Sequence, residues 1–134
     1  MLDKSFKFRK SERLCCETRI EDLFKESDSF FVYPFRVVWK IVEEERTFPA
    51  QIAISVGKKR IRTAVKRNHL KRRIREAYRL NKHILTDMLD NKSIDFMLIY
   101  MTSEMKEFEV FDRSMIKLLN KLKSDILTSE ETNS

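Results

Sequence analysis

KKRIRTAVKRNHLKRRIREAYRLNK occupies residues 58–82 and is unlike any other part of the 134-residue chain. It holds Lys58, Lys59, Arg60, Arg62, Lys66, Arg67, Lys71, Arg72, Arg73, Arg75, Arg79 and Lys82, with Glu76 as its single acid. The stretch carries +11 against +7 for the whole chain, which leaves the other residues at −4. Basicity gathered into one element is what a face turned towards a polyanion requires. At about 100° per residue, Leu70, Ile74, Ala77, Asn81, Ile84 and Met88 fall on one side of a helix, flanked by Tyr78 and Leu85. Asn68, Lys71, Arg72, Arg75, Arg79 and Lys82 collect on the other. Arg67, Lys66 and Arg73 lie nearer the apolar side, where their stems can follow the core edge. Val65 is off the Leu70 stripe and is expected to pack separately near the helix start.

The ordinary alternative is a solvated charged helix. Such a face usually mixes signs at three- and four-residue spacing. Here Glu76 can pair with Arg72 or Arg73, and the remaining cations repel one another unless phosphates relieve them. Nucleic-acid binding follows from the concentration of charge alone.

Working outward, the length fits one domain, expected over residues 1–127, with a disordered polar tail over 128–134. A hydrophobic share of 42% is enough for a core, and a charged share of 37% again points to a polyanionic partner. No run approaches the roughly 18 apolar residues of a membrane span, and the first residues show no apolar signal segment, so a cytoplasmic protein with no membrane partner is expected. Cys15 and Cys16 are adjacent and read as reduced thiols. His69 and His83 belong to no metal-ligand spacing, and with Gly57 as its one glycine the chain has no Gly-rich phosphate loop.

Thr18 and Glu21 make a capping-box pattern for a short helix with Ile20, Leu23 and Phe24 on one face. Residues 30–42 read as one strand, alternating Phe35, Val37, Trp39 and Ile41 with Arg36, Val38, Lys40 and Val42, and Pro34 marks an edge or the start of the strand. A second strand covers residues 50–56. Arg36, Val38 and Lys40 can join Gln51, Ala53 and Ser55 on a second, partly polar face. That face is either an ordinary half-exposed sheet or one wall of a cleft against the first helix. Residues 83–90 continue the basic helix or form a short extra one. In DFMLIY at 95–100 the residues after Asp95 form a continuous apolar run, a strand buried on both sides. Phe111, Met115, Leu118, Leu119, Leu122 and Ile126 keep helical spacing. The order helix–strand–strand–helix–strand–helix gives an α+β, two-layer αββαβα sandwich.

The segment from Ser55 to Arg79 resembles the signature of the bacterial ribonuclease P protein subunit. The family reads roughly S-V-x-K-K, a short loop, then A-V-x-R-N-R-x-K-R-x-x-R-E. Ser55, Val56, Lys58, Lys59, Ala64, Val65, Arg67, Asn68, Lys71, Arg72, Arg75 and Glu76 match it. Arg13-Leu14, Ile20, Phe24 and the 95–100 strand extend the similarity over about residues 12–123. Two departures stand out. The RNR tripeptide is Arg67-Asn68-His69, so the contact of its second arginine is absent here or passes to Arg73 or a protonated His69. The loop before the helix carries Arg60-Ile61-Arg62 where many members have a glycine.

The resemblance implies a subunit of an RNA-based endonuclease that removes the 5′ leader of precursor tRNA. The partners are then the catalytic RNA and the precursor tRNA, with no obligate protein partner. Mg²⁺ acts through the RNA subunit. Lys58, Lys59, Lys66, Arg67, Asn68, Lys71, Arg72, Arg75 and Arg79 are implied to bind the RNA subunit. Arg13, Ile20, Phe24, Arg36, Val38 and Lys40 are implied to line the leader cleft. A small central sheet with an unusual left-handed βαβ crossover is also implied, against the general right-handed rule.

The residues themselves offer no acid/base pair, nucleophile or metal set for a protein-only nuclease, so no catalytic residue is assigned. The arginines can neutralise phosphates, Asn68 can bond a ribose, phosphate or base edge, and Phe24, Val38, Tyr33 or Trp39 can lie against unpaired bases. Core packing is the alternative for Phe24 and Trp39, and the alternation of Trp39 with Val37 and Ile41 favours it. Two further readings compete: a structural RNA-binding protein of ribosomal type without a role in tRNA cleavage, and a DNA-binding module, for which no zipper or helix-turn-helix partner is present.

Overall fold

A computed structural model describes residues 28–42, 50–87, 89 and 93–132. Arg13 and the expected helix bearing Ile20 and Phe24 lie outside the described residues. The elements in chain order are β1 (Asp28–Val32), β2 (Phe35–Val42), β3 (Ala50–Ser55), α1 (Ala64–Asn81), α2 (His83–Thr86), β4 (Ser93–Tyr100) and α3 (Phe108–Thr132).

The strand expected over 30–42 is two strands. Pro34 has no N–H to give a ladder, and at Tyr33-Pro34 the chain reverses into an antiparallel hairpin. The sheet therefore has four strands in the order β1-β2-β4-β3, with β4 antiparallel to β2 and parallel to β3. β3, α1, α2 and β4 form the βαβ unit expected from the order of elements.

Register sorts the side chains into two faces. On one, Phe35 stands opposite Tyr100, and Val37–Leu98–Ile54, Trp39–Phe96–Ile52 and Ile41–Ile94–Ala50 run across three strands. This is the core face, and Trp39 is buried in it as its alternation suggests. On the other face lie Arg36–Ile99–Ser55, Val38–Met97–Ala53 and Lys40–Asp95–Gln51. β4, central in the sheet, is buried along nearly its whole length, Ser93 and Asp95 included, and from Phe96 on its sequence is apolar without alternation.

The helices make the second layer. Leu70, Ile74, Ala77 and Tyr78 of α1 are fully buried, with the Tyr78 ring edge-on to Phe96 at 5.9 Å. α3 buries Phe111, Met115, Leu118, Leu119, Leu122 and Ile126, and Phe111 packs on Phe35 and Tyr100 at 5.8 and 5.9 Å. Each such Leu or Ile contributes about 1.5–3 kcal/mol relative to exposure. Polar ties fix the layers: Asn81 Nδ2 donates to Asp112 Oδ1 at 2.8 Å, and Arg73 Nη1 donates to the Lys106 carbonyl at 2.7 Å. Ser114 Oγ donates to the Tyr33 carbonyl at 2.8 Å, which pins the hairpin turn to α3.

The loop before the basic helix lies where the sequence places it, and one other boundary differs from expectation. The basic stretch is helical only from Ala64, because the N–H groups of Arg60 and Ile61 turn back to the Gly57 carbonyl and Ile61 is buried. At the other end, α3 continues through Thr132, past residue 128 where the tail was expected to begin. Of the residues expected to continue the helix or form a short extra one, His83–Thr86 make the short separate helix α2 after a break at Lys82.

Candidate nucleic-acid interface

α1 turns its polar side outward. Lys66, Asn68, His69 and Arg72 are exposed, while Arg67, Lys71, Arg75 and Arg79 are half-buried along the flanks. Lys58 and Lys59 are exposed in the turn that precedes the helix. The first turn holds no acid and Thr63 makes no side-chain capping hydrogen bond. The positive end of the helix dipole thus opens among Arg62, Lys66 and Arg67, an environment that favours phosphate. Val65, expected to pack near the helix start, is instead 76% exposed on this side, beyond the reach of the sheet.

The structure shows what holds Arg67, Arg73 and Arg79. Arg67 Nη1 donates to the carbonyls of Ile61 and Arg62, each at 2.9 Å, and so holds the loop into the helix. Arg73 is tied to the Lys106 carbonyl and is thereby held between α1 and the β4–α3 loop. Glu76 pairs with Arg79 rather than with Arg72 or Arg73, because Arg79, three residues on, presents both Nε and Nη2 to the carboxylate. The hydrogen bond from Arg79 holds the Glu76 carboxyl below the ordinary carboxylate range and raises the guanidinium in turn.

The face of the sheet opposite the helices is the second candidate surface. Val38 and Met97 are 3% and 4% exposed and form its floor with Ala53 and Ile99. Lys40 is half-buried, next to the buried Asp95 in register, and Arg36 is exposed. Phe31 stands opposite Arg36 in β1 and is 56% exposed on this same face. Sequence reasoning missed Phe31, because a strand drawn straight through Pro34 gives no reason to set it beside Arg36. Of the six expected cleft residues, the structure brings Arg36, Val38 and Lys40 onto one face. Arg13, Ile20 and Phe24 lie outside the described residues.

Among the described residues no three His, Cys, Asp or Glu side chains gather to hold a metal ion. No described helix is long and apolar enough to cross a membrane.

The Ribonuclease P family model matches residues 8–123, nearly the whole chain. The chain belongs to the ribonuclease P protein family. The ribonuclease P protein component of Porphyromonas gingivalis is 40% identical over 131 residues, covering 96% of either chain. That of Lactobacillus gasseri is 34% identical over 126 residues, covering 92% of this chain and 95% of its own. Among solved structures, the RNase P protein from Thermotoga maritima superposes with a TM-score of 0.64 at 26% identity, covering 82% of this chain and 96% of that one. The Staphylococcus aureus RNase P protein shares the fold, with a TM-score of 0.66 at 22% identity over 85% of this chain and 97% of that one. Of the residues that carry the resemblance along α1, Arg67 is half-buried, and Asn68 stands exposed beside His69.

Proposed function

We propose that this protein serves as the protein subunit of ribonuclease P, in the cytoplasm, and assists the catalytic RNA in removing the 5′ leader of precursor tRNA. The outward side of α1, with Lys58 and Lys59 before it, docks on the RNA subunit. Lys66, Asn68, Lys71 and Arg72 meet phosphate and ribose there, Arg75 and Arg79 flank them, and Arg67 orients the loop. The face floored by Val38 and Met97 receives the unpaired leader beside Arg36 and Lys40, with Arg13, Ile20 and Phe24 completing the cleft. The RNA subunit carries out the hydrolysis, and the Mg²⁺ that serves it is held by RNA oxygens. The protein contributes position and counter-charge.

One observation supports this reading: a cationic helix face and a separate sheet face lie on opposite sides of one core. A protein that merely coats RNA needs only the first. The test is cleavage of a labelled precursor tRNA at low Mg²⁺ by the cognate RNA subunit alone, by the protein alone, and by both together. Cutting at the mature 5′ end by the mixture alone is the expected result. Cutting by the protein alone, or a mixture no better than the RNA, overturns it.

A further inference from the structure

We infer that Phe31 and Tyr33, at the β1–β2 turn, form an aromatic platform that takes the outer, unpaired nucleotides of the 5′ leader after they pass the sheet face. This rests on the leader-binding reading and extends it to a second contact at the edge of the sheet.

Phe31 and Tyr33 are 56% and 50% exposed, and their rings lie 6.5 Å apart, tilted by 60°. Water-facing rings on neighbouring positions are costly unless something covers them. Their placement says what does. Phe31 is the register partner of Arg36, whose row crosses to Ile99 and Ser55, so the platform continues the Val38–Met97 face onto the edge strand. Arg36 is exposed beside it. Lys106 Nζ stands 5.4 Å over the Tyr33 ring. Lys106 is also paired with Glu104 at 2.6 Å, so the cation that meets a phosphate here is Arg36.

The turn is rigid. Ser114 Oγ donates to the Tyr33 carbonyl, and the Met101 N–H donates to the Pro34 carbonyl, both at 2.8 Å. Rings held in place in advance lose little freedom on binding. The exposed Phe31 ring and the side of Tyr33 away from Lys106, beside an arginine, fit bases whose own faces are free, the sequence-tolerant chemistry of single strands. A duplex keeps its base faces stacked and offers nothing to these rings, so the occupant is single-stranded RNA. The other candidate is a second copy of this chain pairing along the outer edge of β1.

The experiment uses the reconstituted holoenzyme with the Phe31→Leu/Tyr33→Leu double variant, which keeps apolar bulk and removes both rings. Affinity is measured for mature tRNA, a short-leader precursor and a long-leader precursor. Roughly tenfold weaker binding of the long leader, with the other two unchanged, is expected. Tyr33→Phe alone, which keeps the ring, binds the long leader like the parent. Equal loss for all three RNAs, or no loss, overturns the platform. So does a parent protein that sediments as a dimer and a double variant that does not. If the unaltered holoenzyme itself binds all three RNAs alike, the leader-binding reading fails, and that outcome is distinct from failure of the platform alone.

Discussion

Arg67 reaches back from the first turn of α1 to the Ile61 carbonyl at 2.9 Å, and the same Nη1 also reaches the Arg62 carbonyl. The first arginine of the Arg67-Asn68-His69 tripeptide therefore builds the surface as well as charging it. Arg67→Ala leaves two carbonyls without their partner and should cost about 1–3 kcal/mol in urea unfolding. The salt dependence of RNA binding should hardly change. A slope that falls by about one unit with stability intact would show that Arg67 is mainly a phosphate contact.

Arg72 and Arg75 give the opposite expectation. Arg72 is exposed and Arg75 half-buried on the outward side, and neither lies on the buried stripe of Leu70, Ile74 and Ala77. Replacing both by alanine should act mainly on binding. The slope of log affinity against log salt should flatten by roughly 1–2 units. An unchanged slope would sink the docking role of this face.

Glu76 restrains its own helix face, since its carboxylate takes both Nε and Nη2 of Arg79. Glu76→Gln should raise affinity for the RNA subunit at low salt and steepen the salt slope by up to about one unit. The folded carboxyl is held below its ordinary range, so the pairing is fully present above the unfolded value and is lost only as pH falls through the lowered one. Binding should thus show no pH dependence from Glu76 near neutrality. Titrating affinity of both proteins across acid pH checks this.

Tyr100 supplies a pH signature on the alkaline side. It is buried against Phe35 and Phe111, its hydroxyl donates to the Glu104 carbonyl, and burial pushes the phenol up to about 12. The folded state keeps the proton between the ordinary value of 10 and 12 while the unfolded chain releases it. The resulting stability is complete below about pH 10 and is lost as pH rises through 12. Tyr100→Phe should be less stable at neutral pH by about 1 kcal/mol and should lose stability less steeply above pH 10, as followed by urea midpoints. Parallel curves would exclude the phenol as the cause.

Much of this was legible in the sequence. The stripe of Leu70, Ile74 and Ala77, the apolar run of β4 from Phe96 and the spacing from Phe111 to Ile126 state their own burial, because the pattern of buried faces is written in residue order. The row of Arg36, Val38 and Lys40 followed from period two. The hairpin was not legible, since apolar residues run on either side of Pro34 and only one residue signals the reversal. Phe31 was lost with it. The tasks of Arg67 and Arg73 were hidden for another reason. A guanidinium's partner depends on where a loop or another element passes, and helical phase carries no record of that. The loop before α1 was legible through the family resemblance, and the burial of Ile61 and the turn at Gly57 give its physical reason.

β4 is made after β2 and β3 yet lies between them, and those two strands do not pair with each other. A chain on the ribosome thus has no complete sheet until Ser93–Tyr100 has emerged, and the basic helix is synthesised before the strand that its Tyr78 packs against. Closing the sheet means inserting a strand between two waiting partners far apart in sequence, a slow kind of step. Until then the most cationic segment of the protein has no finished sheet to pack against.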